Sequence, residues 1–531
     1  MDVKYKIVKV NRAHLEKIRT SFDSLSEQDR IFFDFIQNIR IDELLSKSRF
    51  FDVIVALSNK ELVGYGHLEK FKQPYKKHVC KLGIFIAEDY RGTALSNKIM
   101  EYLIKSARRH KLRKIWLSCN SQNLRAIKLY ERFGFVIEGV FFDEELRKNK
   151  LNDIISMALY LTEDKSSFIP WSKPAIRSEE VIQLHKVIKS DWFSQGPMTK
   201  SFEEELKIRC GAKNAVVMNN GSSALMSVFA TMFKPGDRVL FPSFTFVSTL
   251  NSATTFGIKP ILVDIEPTTG NIDLDKAEKI LRENKGKDIM GIVPVDIAGH
   301  SVDIKRVYEL QDKYNIKIVE DAAEAIGGIA YKRPIGSWGH ATIFSFHAAK
   351  NITTVEGGAV LTNDEEFGHS LRKFRSHGES STKFQWDSYG LNLRITDLQA
   401  AIGLAQMKKL DAFIKNRNEI VSFYKSELAN LLEFQEVKEY VDVHPYMMCI
   451  AYADKNKVKE IYDYLLNGDI QARLGWAPLH KQPVFRNLFR QVKLKESEEF
   501  SKKVICLPIY NGMKITEAEA VVDRIKGAFR E

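Results

Sequence analysis

The chain has 531 residues, which is too long for one ordinary domain and predicts about two to four of them. Hydrophobic residues make up 44% of the sequence and charged residues 28%, which excludes a disordered or fibrous protein. The net charge of +12 is spread along the chain without a nucleic-acid-reading motif. The positive charge therefore favours a protein that handles anionic small molecules.

The sequence carries no targeting or anchoring signal. No apolar run is long enough to cross a bilayer, and the polar N-terminus lacks the apolar core of a signal peptide. The five cysteines are scattered and show neither paired nor metal-ligand spacing. We therefore expect a cytoplasmic protein with no membrane, nucleic acid or metal among its partners.

The first part of the chain, residues 1–162, has the pattern of short strands and amphipathic helices. Strands are predicted at residues 52–57, 61–68, 80–87 and 113–119, and helices at 94–110 and 123–133. A polar stretch with two prolines follows at residues 163–175. We interpret it as a linker between domains, because the pattern differs on its two sides.

The second part, residues 176–531, alternates strands and helices over a long span. Strands are predicted at residues 215–219, 238–242, 259–265, 291–297, 316–321 and 341–346. Repeated β-α units of this kind predict an α/β fold with a mostly parallel sheet and helices on both faces. Ligands of such sheets bind at the carboxyl ends of the strands.

Two charged residues follow strands of this second part. Lys350 lies in SFHAAKNIT, directly after one predicted strand, and Asp321 ends another strand 29 residues earlier. A lysine can attach an aldehyde covalently, and a carboxylate can keep a pyridine nitrogen protonated. Lysines and aspartates are common at strand ends, so the signal is their order and spacing together.

Two further features match a phosphorylated aromatic cofactor. The stretch NNGSSAL turns from a strand into a helix, and a helix N-terminus is a ready anion site. Its candidate phosphate-binding residues are Gly221, Ser222 and Ser223. Phe246 follows another strand in PSFTFVSTLN, where its ring can stack on a cofactor.

Residues 168–531 resemble the DegT/StrS-type sugar-nucleotide aminotransferases, which are fold-type I pyridoxal-phosphate enzymes. The stretches that carry the resemblance include IPWSKPAI, NNGSSAL, PSFTFVSTLNSA, IVEDAAEAIGG, SFHAAKNITTVEGGAV and GLNLRITDLQAAIG. The resemblance implies a large domain with a mostly parallel sheet and a smaller C-terminal α+β subdomain. It also implies pyridoxal 5′-phosphate as cofactor, L-glutamate as amino donor and a nucleotide-linked keto sugar as substrate.

The resemblance also implies roles for individual residues. Lys350 is then the Schiff-base lysine and proton shuttle, Asp321 pairs with the pyridinium nitrogen, and Phe246 stacks on the ring. The phosphate would be held by Gly221, Ser222, Ser223 and Ser345, and by Asn392 from a neighbouring subunit. A partner residue in the site implies a homodimer.

Glu324 stands where relatives often carry glutamine or histidine, close to the expected position of the ring hydroxyl. A buried carboxylate at that position must be protonated or partnered. A dehydratase branch of the family carries histidine in place of the lysine, so Lys350 indicates an aminotransferase.

The first part of the chain contains EDYRGTALSNKIMEYLI and, downstream, NLRAIKLYERFGF. A helix that begins near Ala94 exposes N–H groups that can bind a pyrophosphate. Together the two stretches resemble the GNAT family of acyltransferases, over residues 5–161. The resemblance implies a mixed sheet with helices and acetyl-CoA as cosubstrate.

By the same resemblance, the diphosphate of acetyl-CoA is bound by the backbone of Arg91, Gly92, Thr93, Ala94 and Ser96. Asn123 would contact the pantetheine arm, and Tyr130 would protonate the departing thiolate as general acid. The sequence leaves the general base open, with Glu69 and His78 as candidates.

The two parts together predict consecutive reactions. The second part would convert a UDP- or dTDP-linked 4-keto-6-deoxyhexose to the 4-amino sugar, and the first part would acetylate that amine. Such products typically feed bacterial surface polysaccharides. The nucleotide, the sugar stereochemistry and the acyl group stay open.

Three alternatives also stay open. Amination at C3 is one. A non-catalytic GNAT module is the second, because alanine and serine in RGTALS replace the usual second and third glycines and crowd the turn. The third is a regulator or scaffold that uses the second part to sense a ligand.

Overall fold

The computed structural model describes residues 5–23, 49–59, 61–147, 149–161, 168–284 and 289–530. The chain divides into two compact units, one of residues 1–166 and 177–185 and one of residues 167–176 and 186–531. Residues 163–167 of the predicted linker lie outside the described residues.

Within the described ranges, the first unit contains one seven-stranded sheet. Its strands are β1 (Lys6–Lys9), β2 (Phe50–Ser58), β3 (Glu61–Lys70), β4 (Val79–Ile86), β5 (Lys114–Asn120), β6 (Val136–Arg147) and β7 (Lys150–Tyr160). The helices are α1 (Arg12–Asp23), α2 (Leu95–Arg109) and α3 (Leu124–Arg132), and the chain then enters α4 (Ser178–Ser190). The strands lie in the order β1-β2-β3-β4-β5-β7-β6.

One pair of strands in this sheet differs from the others. β4 and β5 are parallel, whereas all other neighbours are antiparallel. The two strands are paired only over Val79–Lys81 and Lys114–Trp116. Both strands continue beyond these residues without pairing to each other, so a gap opens between them. The mixed sheet predicted for this part of the chain is confirmed.

The two faces of this sheet belong to two cores, because side chains alternate along a strand. In β2, Ile54 and Ala56 pack in a core that includes the apolar side of α2. Val53 and Val55, which alternate with them along the strand and lie on its other face, pack in a second core with residues of β1 and α1.

The second unit, as far as the structure describes it, contains a seven-stranded sheet and two smaller sheets. Its strands are β8 (Asn214–Met218), β9 (Arg238–Pro242), β10 (Lys259–Val263), β11 (Ile289–Ile292), β12 (Lys317–Asp321), β13 (Ile329–Ala330), β14 (Arg333–Pro334), β15 (Ala341–Ser345), β16 (Gly358–Thr362), β17 (Glu433–Phe434), β18 (Val441–Val443), β19 (Cys449–Tyr452), β20 (Arg473–Leu474) and β21 (Val504–Leu507). Its helices are α5 (Pro197–Cys210), α6 (Gly221–Met232), α7 (Val247–Thr255), α8 (Leu274–Glu283), α9 (Ile304–Tyr314), α10 (Glu365–Arg375), α11 (Asp397–Met407), α12 (Leu410–Leu428), α13 (Lys455–Leu466), α14 (Lys495–Lys503) and α15 (Ile515–Ala528).

The large sheet has the order β10-β9-β11-β12-β15-β16-β8. Its first five strands are parallel, and β16 runs antiparallel to both β15 and β8. Val216 and Met218 of β8 pack in one core, and Ala215 and Val217 in another, so both faces are covered. The predicted mostly parallel α/β sheet is confirmed.

The strand predicted at residues 291–297 is shorter than expected. β11 ends at Ile292, and a single bridge from Val295 to Asp321 continues the pairing. Pro294 has no N–H to donate, which interrupts the ladder, although its carbonyl still accepts a hydrogen bond from Asp321 N at 2.9 Å. The main chain then turns at Ala298, whose φ is 62°.

The C-terminal part of the second unit has a core of its own. Helices α12, α13 and α15 pack against β19 and β21, with Tyr424, Ile461 and Val521 fully buried among them. This arrangement matches the predicted smaller α+β subdomain. None of the helices in the described part of the chain is both long enough and apolar enough to span a bilayer.

Candidate active sites

Lys350 and Glu324 form a partly buried ion pair at the carboxyl ends of β12 and β15. Lys350 Nζ lies 2.9 Å from Glu324 Oε1, and the two side chains are 16% and 9% exposed. The second oxygen, Oε2, accepts a hydrogen bond from Ala298 N at 2.9 Å. The buried glutamate is therefore partnered at both oxygens, as its position requires.

Asp321 ends β12 and is buried. Thr249 Oγ1 donates to Asp321 Oδ2 at 2.7 Å, and Ala323 N donates to Oδ1 at 3.2 Å. Burial raises the pKa of Asp321, although both hydrogen bonds and the charge of Lys350 oppose this shift. A cation placed against this carboxylate would stabilise its charged form.

A second buried carboxyl group adjoins Asp321. Asp296 N donates to Asp321 O at 3.1 Å, and Asp296 Oδ1 accepts from Val302 N at 2.9 Å. Burial, together with the negative charges of neighbouring carboxylates, raises the pKa of Asp296 well above its usual range. Both causes disfavour the charged form of Asp296 relative to that of an exposed aspartate.

The start of α6 forms a cradle of N–H groups and hydroxyls. Asn220 caps the helix, because its Oδ1 accepts from Ser223 N at 2.8 Å. Ser222 Oγ lies 2.5 Å from Ser248 Oγ at the start of α7. A Cβ at Gly221 would lie 3.2 Å from Ser345 Oγ, so the glycine lets Ser345 approach the helix start.

Phe246 and Asn392 lie at more open positions. Phe246 precedes α7, is 58% exposed and contacts Trp476 edge-on, with 6.1 Å between the ring centres. Asn392 is exposed, and the carbonyl of its neighbour Leu393 accepts a hydrogen bond from Asn219 N at 2.9 Å. The exposed ring of Phe246 is available to stack on a ligand.

These groups fit a phosphorylated pyridine aldehyde. The donors at the start of α6 suit a phosphate dianion, the buried carboxylate of Asp321 suits a protonated ring nitrogen, and Lys350 supplies the amine. The structure brings Lys350, Glu324 and Asp321 together, and it brings Ser222, Gly221 and Ser345 together. These are the groupings that the sequence predicts.

Sequence reasoning missed four contributors to this site, namely Asn220, Ser248, Thr249 and Ala298. Asn220 stands in an N-cap pattern, and Ser248 and Thr249 follow Phe246 in the first turn of α7, so usable signals existed. Ala298 contributes only a backbone N–H, which the identity of the side chain does not reveal.

In the first unit, the turn before α2 holds the residues predicted to bind a diphosphate. Gly92 has a φ of 80°, a conformation that glycine adopts without strain. Thr93 Oγ1 accepts from Leu95 N at 3.3 Å, and Ala94 and Ser96 complete the turn into the helix. The side chain of Arg91 bends back, so that its Nε donates to Ile86 O at 3.2 Å.

Tyr130 is buried in α3 and lies close to Cys119 of β5. Burial and, to a smaller extent, Cys119 raise the pKa of Tyr130, so the phenol keeps its proton. Asn123 caps α3, since its Oδ1 accepts from Ala126 N at 3.1 Å. The phenol thus lies beside the unpaired half of β5, where it can act as an acid.

The two candidates for the general base lie in different surroundings. Glu69 is the next-to-last residue of β3 and lies opposite Lys81, and its Oε1 accepts from Arg49 Nε at 3.0 Å. His78 is exposed in the turn between β3 and β4, and its carbonyl accepts from Arg113 N at 2.9 Å. Both stay candidates.

Family models match both parts of the chain. The model described as the DegT/DnrJ/EryC1/StrS aminotransferase family matches residues 174–526, and the model described as the acetyltransferase (GNAT) family matches residues 14–135. These matches confirm the two resemblances drawn from the sequence.

Individual relatives match the second unit over nearly their whole length. The Campylobacter jejuni UDP-4-amino-4,6-dideoxy-N-acetyl-beta-L-altrosamine transaminase is 32% identical over 365 residues, which cover 67% of this chain and 96% of that protein. The structure of Helicobacter pylori PseC, an aminotransferase involved in the biosynthesis of pseudoaminic acid, matches with 28% identity and a TM-score of 0.64, covering 68% of this chain and 99% of PseC. Bacillus subtilis NtdA with bound cofactor PMP matches with 26% identity and a TM-score of 0.61, covering 66% of this chain and 82% of NtdA.

Proposed function

Because this chain belongs to the DegT/DnrJ/EryC1/StrS aminotransferase family and carries a GNAT acetyltransferase domain, we propose that it catalyses two consecutive steps on a nucleotide-linked sugar. The second unit transfers an amino group from L-glutamate to C4 of a 4-keto-6-deoxyhexose. The first unit then acetylates the new amine with acetyl-CoA. The single observation that carries the proposal is the Lys350–Glu324 pair beside buried Asp321, at the strand ends of an aminotransferase fold.

The cofactor that we assign to the second unit is pyridoxal 5′-phosphate, which accepts electron density from a substrate carbanion when its ring nitrogen is protonated. Asp321 holds that proton, and Thr249 orients the carboxylate. Gly221, Ser222, Ser223 and Ser345 bind the phosphate. PMP bound to a relative of the same fold supports the assignment.

Lys350 has two tasks in the proposed reaction. Its amine attaches the cofactor between turnovers, and during turnover it moves a proton to and from the substrate carbon. Glu324 orients the amine in the structure through the 2.9 Å contact, and Ala298 N fixes the glutamate in turn.

The first unit completes the sequence of steps. The amine nitrogen attacks the thioester carbonyl of acetyl-CoA and loses its proton to the general base, with Glu69 and His78 as candidates. The carbon–sulfur bond breaks, and Tyr130 gives its proton to the thiolate. Gly92 keeps the turn conformation at the start of α2, so the turn that would bind the diphosphate is formed although alanine and serine replace the usual second and third glycines.

Two features support finer parts of the proposal. A relative that acts on a UDP-linked 4-amino-4,6-dideoxy sugar favours C4 and uridine over C3 and thymidine.

The segment before Asn392 exposes Phe384, Trp386 and Tyr389, the last at 99%, which suits a protein interface. We assign this surface to a homodimer in which Asn392 reaches the phosphate of the partner's cofactor.

Mass spectrometry of products tests the proposal. The full chain is incubated with UDP- and dTDP-linked 4-keto and 3-keto sugars, L-glutamate and acetyl-CoA. We expect an N-acetylated 4-amino sugar from the UDP-linked 4-keto substrate. A product that stops at the amino sugar would reject catalysis by the first unit, and amination only of 3-keto sugars would reject the C4 assignment.

A shared active site is tested by mixing two inactive variants, Lys350→Ala and Asn392→Ala. In a mixed dimer, one of the two sites contains Lys350 from one protomer and Asn392 from the other, so transamination should partly return. If no activity returned in a mixture shown to contain mixed dimers, Asn392 would not act across the interface.

A further inference from the structure

The first unit carries a basic and aromatic surface that none of the assigned roles uses. The turn between β3 and β4 reads KFKQPYKKH from Lys70 to His78. Phe71 of this turn contacts Trp116 of β5, Lys76 lies over the ring of Phe71, and Lys81 of β4 lies over that of Trp116. Lys77 follows Lys76 in the turn and is exposed. We call the set Phe71, Lys76, Lys77, Lys81 and Trp116 the aromatic–lysine patch.

The rings of the patch are held in place and flanked by ammonium groups. Phe71 and Trp116 contact each other edge-on, with 5.9 Å between ring centres. Trp116 Nε1 donates to Ser156 Oγ at 2.6 Å, which fixes the plane of the indole. Lys76 Nζ lies 4.8 Å from the centre of the Phe71 ring, and Lys81 Nζ lies 5.7 Å from that of Trp116.

Within the described part of the chain, three lysines of the turn have no acidic partner. Lys72, Lys76 and Lys77 make no ion pair there. Glu69, the acidic residue at the end of β3, is already paired with Arg49 at 3.0 Å. The patch therefore combines an excess of positive charge with aromatic rings, a combination that binds phosphate groups and a nucleobase.

The patch lies where an acceptor must enter. Lys81 and Trp116 form the last register pair before β4 and β5 separate, so they border the gap in which the thioester would react. Side chains on the opposite face, including Leu82 and Leu117, are buried in the core with α2. Among the described residues, this core closes the opposite face of the gap, so we expect an acceptor to approach over the face that carries Lys81 and Trp116.

The strand that carries part of the patch also offers an extended surface. From His78, at the end of the turn, to Gly83, beyond the last paired residue of β4, the strand extends about 16 Å at roughly 3.3 Å per residue. A sugar, a diphosphate and a nucleoside arranged in line need a surface of this kind, with the sugar at the gap and the base at the turn.

We propose that the aromatic–lysine patch binds the nucleoside diphosphate of the acetyl acceptor. The base stacks against Phe71 at the turn, which Trp116 supports from the side. Lys76, Lys77 and Lys81 contact the diphosphate, and the amine of the sugar lies at the gap between β4 and β5. This inference rests on the proposed function and adds to it the site that selects nucleotide-linked acceptors over free amino sugars.

The test measures CoA release by the full chain with a UDP-linked 4-amino sugar and with the same amino sugar without the nucleotide. The variants are the double substitution Lys76→Gln with Lys77→Gln, and the single substitution Trp116→Leu. The control is Lys105→Gln with Lys111→Gln, which removes two exposed lysines from the other side of the same unit.

We expect both patch variants to raise KM for the nucleotide-linked acceptor at least about tenfold. The lysine variant loses contacts with the diphosphate, and Trp116→Leu removes the ring that holds Phe71 in place for stacking. The KM for acetyl-CoA should not change, which shows that the unit is still folded. The control should match the wild type. Higher salt should raise the acceptor KM of the wild type and have less effect on the lysine variant.

Two other results distinguish an error in the patch assignment from an error in the proposed function. If the wild type acetylates the nucleotide-linked sugar and the patch variants leave its KM unchanged, the patch assignment is wrong while the proposed function stands. If the wild type acetylates neither acceptor, the proposed function of the first unit fails, and the acceptor site fails with it.

Discussion

The two units each present a helix start that we propose binds phosphate, and the two helix starts differ in how far their polar groups are already organised. At the start of α6, the Asn220 side chain caps the helix and two serine hydroxyls contact each other. At the start of α2, the N-cap residue Ala94 makes no side-chain cap bond, and the Thr93 hydroxyl accepts a hydrogen bond from Leu95 N. The first arrangement suits a cofactor that stays bound, and the second suits a cosubstrate that leaves in every turnover.

The reactive groups of the two units also differ in how they are stabilised. The second unit keeps charged groups, Lys350 and Glu324, in a partly buried pair beside the buried carboxyl group of Asp321. In the first unit, the proposed general acid is a neutral phenol, that of Tyr130, whose pKa is raised by burial. Buried charges need fixed partners, whereas a neutral acid needs only desolvation. The comparison therefore predicts that the two activities respond to different substitutions.

The largest effect is expected for Lys350→Ala. Transamination should fall by more than about 10³-fold, because the substitution removes both the attachment point and the proton carrier. The visible absorbance of the covalently bound cofactor should disappear, and acetylation of a supplied amino sugar should continue. Lys279→Ala, at an exposed position of α8, is the matched control. Survival of the visible band would show that another lysine holds the cofactor.

Tyr130→Phe should impair the first unit and spare the second. Acetyl transfer should fall about 10²-fold through loss of the general acid, with transamination unchanged. Because burial raises the pKa of Tyr130, the wild-type rate should show no loss from phenol ionisation up to the ordinary tyrosine value of about 10. Tyr160→Phe, at a half-exposed position of β7, serves as control. An equal loss of rate in both variants would exclude a specific role for Tyr130.

Glu324→Gln should give an intermediate effect. The amide keeps the size of the side chain, but it leaves the Lys350 ammonium without its counter-charge. We expect the second unit to lose about 2 kcal/mol of stability in the cofactor-free protein, measured by urea denaturation. Transamination should fall while acetylation is unchanged. An unaltered denaturation midpoint would mean that the pair adds nothing to stability.

The smallest effects are expected at the two asparagine caps, one in each unit. Asn220→Ala and Asn123→Ala each remove a side-chain hydrogen bond at a helix start and should cost about 1 kcal/mol. Asn220→Ala should weaken cofactor binding, and Asn123→Ala should raise KM for acetyl-CoA. Replacing either asparagine by aspartate should restore most of the stability, since aspartate is an equally good cap. If each substitution altered the other unit's activity instead, the assignment of transamination to the second unit and acetylation to the first would be wrong.

Much of the fold follows from local pattern. The helix predicted at residues 94–110 is observed at Leu95–Arg109, and the strand predicted at 238–242 is observed with the same bounds. The predicted strand at 291–297 failed where Pro294 interrupts the ladder, because backbone pairing requires an N–H at each step. Helical and strand periodicity act over a few residues, so they can be read from the sequence directly.

The sequence by itself determined the two fold classes, the lysine, the aspartate and the helix starts, because each depends on neighbours within a few positions along the chain. Only the tertiary structure decided which groups meet, such as Thr249 with Asp321, 72 residues apart, and Glu324 with Lys350, 26 residues apart. It also decided that Trp116 and Phe71 contact each other on one face of the first sheet. Contacts of this kind depend on strand order and register, which no local pattern contains.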